Sequence, residues 1–414
     1  MKTITGWGIK TLEECFDILD NKRRPINSEE REKRQGIIPY YGANGLQGFI
    51  DGFLFDEPLI LIAEDGGQFS EFQTRPIAYR IYGKSWVNNH AHVLKAKKQF
   101  NQNAIFYALE HKDIQPYIVG GTRSKLNQSA LRKIPILIPN DKAEQSKIAE
   151  ILETVDRSIE QTEALIAKQQ RIKTGLMQDL LTKGIDKHGN IRSEETHEFK
   201  NSPLGRIPVE WNVVELSNLA NAIDPQPDHR TPAEVSDGIP YIGISDIDSD
   251  GYINFSRARK ISREAFAKQQ KAFKISNGDF IFGKIGTIGK PFKLPIDYNY
   301  ALSANVILLK PFETHSFIYW WMASEMANNL VMLDLHTTSQ PAFGMQKMRT
   351  FLIPKPSEDE RKKIGKLFDE FEKDFMYEKR IHEKLMSIKT ALMQDLLTGK
   401  KRVTPLLKET EVNQ

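Results

Sequence analysis

Two clusters of cationic side chains are the first candidates for chemistry in this sequence. One cluster is Lys22, Arg23 and Arg24, and the other is Arg257, Arg259 and Lys260. Guanidinium and ammonium groups at this density suit the phosphates of a nucleic-acid backbone. The alternative is solvated surface charge, which is the usual role of Lys and Arg. The residues alone leave both interpretations open.

A short segment of amides and imidazoles is the second candidate. It contains Asn88, Asn89, His90 and His92, directly before a strand-like run. An Asn side chain can bond an adenine edge through two hydrogen bonds, so Asn88, Asn89 and His90 are candidates for reading bases. The alternative is a turn held by structural hydrogen bonds. A metal at the two histidines is disfavoured because no third ligand lies nearby.

Residues 283–290, which read GKIGTIGK, resemble a phosphate-binding loop at first sight. Five residues separate Gly283 from Gly289, where that motif has four, and Pro291 replaces its Ser or Thr. A nucleotide site is therefore not expected. The small glycines beside Lys284 and Thr287 would instead let the backbone approach DNA, with a strand-to-strand turn as the alternative.

Motifs for catalysis on DNA are missing. A base methyltransferase carries a Gly-rich cofactor loop and an Asn/Asp-Pro-Pro-Tyr/Phe sequence that grips a flipped base. Neither occurs in this sequence, and no convincing group of acidic residues with Lys marks a nuclease. We therefore predict no catalytic residue, no metal ligand and no cofactor in this chain.

An internal duplication organises the elements that must position the candidates. Residues 172–182 read IKTGLMQDLLT, and residues 388–398 read IKTALMQDLLT, 216 positions later. A repeat of this kind marks one architecture used twice. Packing alone does not require polar residues to match, so the repeated Met-Gln-Asp predicts docking surfaces for a shared partner. These residues are Met177, Gln178 and Asp179 in the first copy and Met393, Gln394 and Asp395 in the second.

Each copy also carries a seam of apolar residues four and three positions apart, held for about five heptads. In the first copy the seam runs from Ile148 to Leu180, with a drift to Ile172 near Lys173, and in the second from Ile364 to Leu396. The pattern predicts two long, coiled-coil-like helices. One apolar stripe needs another to cover it, so we expect the two helices to pair antiparallel.

The fold class is therefore mixed α/β (α+β): two pseudo-symmetric globular domains separated by two long helices packed as an antiparallel coiled coil. Strand-like runs between Gly and Asn clusters fill residues 1–141, and Trp211 restarts the pattern begun at Trp7. We expect helices over 142–182 and 357–398, a second domain over 211–356 with a helix at 316–333, a linker over 183–210 and a flexible tail over 399–414.

Composition limits the class of protein without deciding it. A chain of 414 residues is long enough for two or three domains, and its net charge of +4 is mild for a nucleic-acid-binding protein. The single Cys15 excludes an intrachain disulfide and a multi-cysteine metal site. No apolar run approaches the roughly 20 residues of a membrane span. The N-terminus has no signal-peptide core, so we expect a cytoplasmic location and no membrane partner.

The order of these segments resembles the specificity subunit of type I restriction–modification systems. The resemblance covers essentially the whole chain. It rests on EQSKIAEIL at residues 144–152, on SPLGRIPVEW at residues 202–211 and on the two LMQDLLT helix ends. The second copy departs from the first at its helix start, where ERKKI replaces EQSKI. That difference concerns only local contacts at the helix start.

The resemblance implies a division of labour. The globular segments would be target recognition domains, each reading one half of a split site in double-stranded DNA. The long helices would fix the gap between the halves and dock two methyltransferase subunits, and a translocating restriction subunit would be an optional further partner. S-adenosylmethionine and catalysis would belong to the methyltransferase, so this chain would be a non-catalytic recognition subunit.

Two alternatives are compatible with the residues. One is a stand-alone DNA-binding or anti-restriction protein of the same body plan. The mild charge disfavours it, because phosphate contacts supply much of the affinity of tight DNA binding. The other is a single-chain enzyme, which would transfer methyl groups to DNA without a partner.

Overall fold

The computed structural model describes residues 4–120, 124–228, 230–248, 250–285, 288–335 and 343–407. The chain divides into two compact units, Met1–Ala164 with Arg380–Gln414 (unit 1) and Leu165–Lys379 (unit 2). The division falls inside both long helices, so each unit contains part of each helix. Within the described ranges, no helix combines the length and the apolar character needed to cross a membrane.

The described strands of unit 1 form small sheets, of which one is mixed and the others are antiparallel. In chain order they are β1 (Trp7–Thr11), β2 (Phe16–Ile18), β3 (Ile38–Gly42), β4 (Gly45–Ile50), β5 (Phe55–Asp56), β6 (Leu59–Ala63), β7 (Ala78–Ile81), β8 (Lys84–Val87), β9 (Ala91–Ala96) and β10 (Pro135–Pro139). Strand β1 pairs with β10, and the other sheets have the orders β2-β9-β6-β7 and β4-β3-β8-β5. Because β3 and β8 are parallel, their carboxyl ends lie at one edge.

The helices of unit 1 cover these sheets. They are α1 (Leu12–Cys15), α2 (Ser28–Lys33), α3 (Gln102–Glu110), α4 (Gln128–Arg132), the first part of α5 (Lys142–Thr182) and the last part of α10 (Glu358–Leu396). Helix α3 starts at Asn101, whose side chain accepts hydrogen bonds from the free backbone donors of Asn103 and Ala104. Burial raises the pKa of the Cys15 thiol to about 12, so this core cysteine stays protonated.

The strands of unit 2 lie between and around its helices. They are β11 (Phe199–Ser202), β12 (Gly205–Pro208), β13 (Asn212–Glu215), β14 (Ala220–Ile223), β15 (Glu234–Ile242), β16 (Lys260–Ile261), β17 (Phe280–Gly283), β18 (Pro291–Lys293), β19 (Ala301–Leu302), β20 (Val306–Pro311) and β21 (Leu352–Lys355). The helices are the last part of α5, α6 (Arg263–Ala272), α7 (Phe317–Met322), α8 (Glu325–Leu335), α9 (Met345–Arg349) and the first part of α10. Helix α6 begins at Ser262, as its N-cap side chain predicts.

The sheets of the two units share one topology. The order β2-β9-β6-β7 in unit 1 corresponds to β14-β20-β17-β18 in unit 2, and β4-β3-β8 corresponds to β16-β15-β19. In both units one pair of strands in this second sheet is parallel, β3 with β8 in unit 1 and β15 with β19 in unit 2. Strand β13 pairs with β21 as β1 pairs with β10. The predicted pseudo-symmetry of the globular domains is therefore confirmed at the level of strand order.

The long helices pair antiparallel, as predicted. In unit 1, Lys389 of α10 lies 2.9 Å from Asp156 of α5, and His382 lies 3.0 Å from Glu163. Residue numbers thus rise along one helix as they fall along the other. The seam residues from Ile148 to Leu180 are buried or partly buried. The expected drift to Ile172 is wrong: that side chain is 42% exposed, whereas Lys173 holds the seam position.

An ion pair of one kind fixes the start of each long helix. In unit 2, Glu360 binds the Arg192 guanidinium at 2.5 and 3.2 Å and accepts a hydrogen bond from the Trp211 indole at 3.2 Å. In unit 1, Glu144 binds Arg402 at 2.6 and 2.8 Å. These glutamates are 216 positions apart, so the duplication extends to the contacts that anchor the helices.

Three segments differ from what the sequence suggested. Residues 183–210, expected as a linker, contain the paired strands β11 and β12 and the buried Arg192. The tail was expected to be flexible, yet Val403 is buried in the core of unit 1. The single helix expected over 316–333 is broken at Ala323 and Ser324 into α7 and α8. Arg192 and Val403 are held by distant residues, whereas the helix break carries a local N-cap in which the Ser324 hydroxyl accepts a hydrogen bond from the Ala327 backbone.

Candidate nucleic-acid interface

One edge of unit 1 gathers the loops that follow its central strands. The backbone N–H of Asn88 donates to the carbonyl of Tyr41 at 3.0 Å, and that of Glu64 donates to the carbonyl of His90 at 2.8 Å. These bonds bring together the turn after β3, the loop after β6 and the loop after β8. We call residues 42–45, 64–67 and 88–90 the unit 1 edge.

The predicted base-reading segment lies on this edge, and its three residues have different surroundings. Asn88 is buried and bonds the Gln47 side chain at 3.2 Å and the His90 backbone at 2.8 Å. Asn89 is exposed. His90 is half-exposed, with its Nδ1 atom 2.8 Å from the Asp65 carboxylate. Asn88 therefore shapes the loop, while Asn89 and His90 present polar groups outward.

The first cationic cluster is divided by the fold. Lys22 and Arg24 are exposed, whereas the Arg23 side chain is only 12% exposed. Its guanidinium donates to Glu64 at 2.8 Å and to the carbonyl of Ala91 at 2.7 Å. Arg23 therefore supports the edge from inside, and Lys22 and Arg24 are the members exposed to solvent.

Behind the edge, Arg23 belongs to a buried polar network. His92 is fully buried, with Nδ1 2.6 Å from Asp20 and Nε2 2.7 Å from the carbonyl of Leu126. Burial opposes the charged form of Asp20, but the hydrogen bond and charge of His92 outweigh it and hold the pKa of Asp20 below its ordinary value. A carboxylate oxygen of Asp20, a carboxylate oxygen of Glu64 and a ring nitrogen of His92 lie within 4.8 Å of one another. The Arg23 guanidinium already supplies a positive charge to this group.

The same edge exists in unit 2 with different side chains. The backbone N–H of Ser303 donates to Ile242 at 2.8 Å, and that of Lys284 donates to Asn305 at 2.8 Å. These bonds match the Asn88 and Glu64 bonds of unit 1. Residues 303–305 thus occupy the position of residues 88–90. We call residues 243–246, 284–285 and 303–305 the unit 2 edge.

Lys284, a predicted DNA contact, forms an ion pair with Asp224 at 2.8 Å, and both side chains are largely buried. The strand registers make Asp224 the counterpart of Asp20 and Lys284 the counterpart of Glu64. Arg23 and Lys284, although far apart in sequence, therefore both neutralise carboxylates beneath the equivalent edges. Thr287 lies outside the described residues.

The second cationic cluster lies beside the unit 2 edge. Arg257 is exposed, and Lys260 is partly buried in β16. Arg259 donates to the carbonyl of Pro232 at 2.8 Å and lines a cleft at the edge together with Asp246 and Asn305. Of the three, Arg257 is the one best exposed for a phosphate, and Arg259 is held in a defined orientation.

The predicted docking residues have matching surroundings in both units. Gln178 and Gln394 are exposed. Asp179 lies 2.8 Å from Lys183, and Asp395 lies 3.0 Å from Lys400. The methionines, Met177 and Met393, pack partly against the cores of their own units. The outward part of each motif is therefore the glutamine.

Sequence reasoning missed several polar residues of the two edges. They are Asn44 and Asp65 in unit 1, and Ser245, Asp246, Ser303 and Asn305 in unit 2. The tripeptide Ile38-Pro39-Tyr40 recurs as Ile239-Pro240-Tyr241, and this repeat could have located these residues from the sequence. Both segments lie in the central parallel strand, so the residues after them mark the equivalent edges.

Together, these features define a duplicated scaffold in which one topology presents two different polar edges. The family model for the type I restriction modification DNA specificity domain matches residues 4–169 and 208–387. The chain belongs to this family of type I restriction–modification specificity subunits.

Relatives in the family extend over most of the chain. A putative type I restriction enzyme specificity subunit of Haemophilus influenzae is 28% identical over 308 residues, which cover 74% of this chain and 72% of the relative. A type I restriction enzyme specificity subunit of Methanocaldococcus jannaschii is 24% identical over 97% of this chain and 94% of its own. The crystal structure of a type I S subunit from M. genitalium shares the fold, with a TM-score of 0.66 and 15% identity over 96% of this chain and 98% of that one.

Proposed function

We propose that this chain selects the DNA sites of a type I restriction–modification complex. Each globular domain, over residues 1–141 and 211–356, reads one half of a bipartite site in double-stranded DNA. The long helices fix the gap between the halves. The chain itself is non-catalytic and acts in the cytoplasm, where its DNA lies.

The observation that carries the proposal is the contrast between the helices and the edges. The long helices repeat their sequence and their anchoring ion pairs, Glu144 with Arg402 and Glu360 with Arg192. The edges repeat their backbone geometry but not their side chains. DNA specificity comes from the few side chains that contact base edges, so two different half-sites require different edges on a constant frame.

The repetition of the long helices also indicates which partners the chain binds. Two copies of a methyltransferase subunit, which hold S-adenosylmethionine, dock on the repeated motifs at Gln178 and Gln394. A pseudo-twofold scaffold offers two equivalent surfaces to two copies of one partner. A restriction and translocation subunit joins the complex as an optional component. Lys22, Arg24 and Arg257 contact phosphates, which position the protein without specifying sequence.

Mapping methylated sites tests the proposal. The chain is expressed with its methyltransferase subunit in cells that lack other DNA methylation, and modified bases are mapped across the genome. We expect a two-part motif with a fixed gap. Replacing residues 1–141 with the equivalent domain of another specificity subunit should change one half of the motif only. A change in both halves would contradict the modular assignment.

Two control measurements address the alternatives. Methyl transfer by the purified chain alone, incubated with DNA and S-adenosylmethionine, would support a single-chain enzyme. Purification of the chain from its own cells without a methyltransferase would support a stand-alone DNA-binding or anti-restriction protein. Family membership favours neither alternative.

A further inference from the structure

A polar cleft of about 490 Å³ opens at the unit 2 edge. It is lined by Gly243, where an added Cβ atom would lie 2.9 Å from the Ser303 hydroxyl oxygen and would displace the Ser303 side chain. The Tyr241 hydroxyl accepts a hydrogen bond from the Ala304 backbone at 3.1 Å. The strand ends therefore build the cleft as a defined cavity.

The wall of the cleft combines donors with acceptors. Asp246 is held by the backbone N–H of Gly243 at 2.8 Å, and Arg259 is held by the carbonyl of Pro232 at 2.8 Å. The buried Nε of Arg259 has no hydrogen-bond partner in the part of the chain that the structure describes, and the nearest carboxylate, Glu234, is 3.8 Å away. Ser245 and Asn305 are exposed at the rim. Oriented charged groups and exposed polar groups thus face one space.

This mixture suits the edge of a base better than a phosphate. Phosphate sites are built from donors and positive charge, and the Asp246 carboxylate would repel a second anion. Base edges offer donors and acceptors side by side, which Asn, Ser, Arg and Asp side chains recognise in pairs. Burial raises the pKa of the Tyr241 phenol, so its hydroxyl also remains a donor.

The position of the cleft supports the same conclusion. Residues 303–305 are the structural counterparts of residues 88–90, the segment of unit 1 that its sequence marked as a base reader. Equivalent backbone bonds hold both segments, at Asn88 to Tyr41 and at Ser303 to Ile242. The side chains differ at every equivalent position, Asn-Asn-His against Ser-Ala-Asn. Two domains that recognise different half-sites need such equivalent backbone positions with different side chains.

We propose that the cleft at the unit 2 edge binds the base edges of one half-site in duplex DNA. Asn305 and Ser245 make the base contacts at its rim, and Arg259 and Asp246 are the fixed donor and acceptor within it. This inference rests on the proposed function, in which residues 211–356 read one half of a bipartite site.

The test uses the full chain with its methyltransferase subunit and compares methylation motifs. The variants are Asn305→Ala with Ser245→Ala, and Asn305→Asp, which exchanges an amide for an acceptor. The control is Asn221→Ala, because Asn221 is also exposed but pairs with Lys310, at the far end of β20 from the cleft. Thermal unfolding of each variant establishes that it folds.

We expect the double variant to lose discrimination by about 10-fold or more at one or two positions of one half-site. The other half and the gap should stay unchanged, and Asn305→Asp should alter base preference at the same positions. The affected half must be the one that changes when residues 211–356 are exchanged. The slope of log affinity against log salt should stay constant, whereas loss of a phosphate contact reduces it by about 0.9.

Three results would overturn the inference. One is an unchanged motif in folded variants, and another is uniform weakening with a reduced salt slope, which would mark a phosphate site. The third is the same relaxation in Asn221→Ala. Failure of the proposed function is distinguishable, because the unmodified complex would then show no bipartite motif at all.

Discussion

Lys173 of α5 forms an ion pair with Glu372 of α10 in unit 2, and 216 positions away the same pair recurs with the helices exchanged. In unit 1, Lys389 of α10 binds Asp156 of α5. Both lysines occupy seam positions that an apolar residue would normally fill. A polar residue at such a position selects one register of paired helices at a cost in stability. We therefore interpret these pairs as the residues that set the register.

Reversal of the charge at one pair tests this interpretation. Lys173→Glu should destabilise unit 2 by about 1–3 kcal/mol, because it places two carboxylates in a partly buried seam. Lys173→Glu combined with Glu372→Lys should recover part of the loss. Hydrogen exchange under denaturant resolves the two units separately. Lys168→Glu, at an exposed site on the same helix, is the control. Equal losses of stability in Lys173→Glu and in the control Lys168→Glu would contradict the assignment.

Glycine substitutions at two sites, one within α5 and one just after it, should have opposite effects. Gly184 has a φ of +65°, and a Cβ atom there would lie 2.1 Å from the Glu360 carboxylate and 2.3 Å from the Trp211 ring. Gly184→Ala should therefore cost about 3 kcal/mol or more. Gly175 lies mid-helix with open space around it, and its counterpart is Ala391.

Gly175→Ala should stabilise the chain by up to about 1 kcal/mol, because alanine loses less backbone entropy in a helix. Denaturant unfolding of both variants gives the comparison. A neutral Gly184→Ala would show that Glu360 and Trp211 move apart without cost.

Removal of the Asp20 charge should destabilise unit 1 in a pH-dependent manner. The pKa of Asp20 is lowered in the folded chain. Its stabilising contribution is therefore complete above the unfolded pKa of about 3.9 and is lost as the pH falls through the lower folded value. Asp20→Asn should cost about 3 kcal/mol near pH 7, because buried His92 loses the carboxylate 2.6 Å from its Nδ1 atom and Arg23 keeps only Glu64.

The deficit of Asp20→Asn should shrink as the pH falls below about 4. Unfolding by denaturant across this pH range measures it. Asp17→Asn, an exposed site on β2, serves as the control and should show little effect at any pH. A deficit in Asp20→Asn that is independent of pH would remove the linkage argument.

The glutamines of the repeated motif should control how many methyltransferase subunits bind. Gln178→Arg and Gln394→Arg place a bulky charge on one docking surface each, so each variant should retain one copy of the partner. The double variant should retain none. Native mass spectrometry of the purified complexes counts the copies. Gln161→Arg, an exposed site elsewhere on α5, should keep both. Two bound copies on the double variant would exclude these docking surfaces.

The long helices could be predicted from the sequence because their signal is local. Helix α5 spans the expected residues 142–182, and α10 differs from its expected bounds by one residue at its start and two at its end. A seam repeated every seven residues needs no knowledge of distant contacts.

The supporting ion pairs could not be predicted, because they join distant residues. Arg23 reaches Glu64 across 41 positions, and Lys284 reaches Asp224 across 60. A cation in a loop has the same local pattern whether it faces DNA or a buried carboxylate. Sequence reasoning therefore could not separate the largely buried Arg23 from the exposed Arg24.

Unit 2 is one continuous segment of the chain, whereas unit 1 combines an N-terminal segment with a C-terminal one. On the ribosome, domains usually fold in the order of their synthesis. Here unit 2 has all its residues before unit 1 does, because the last part of α10 and the Arg402 anchor, which belong to unit 1, are made last. A nascent polypeptide arrested near residue 380 would therefore carry a complete second reader and an unfinished first one.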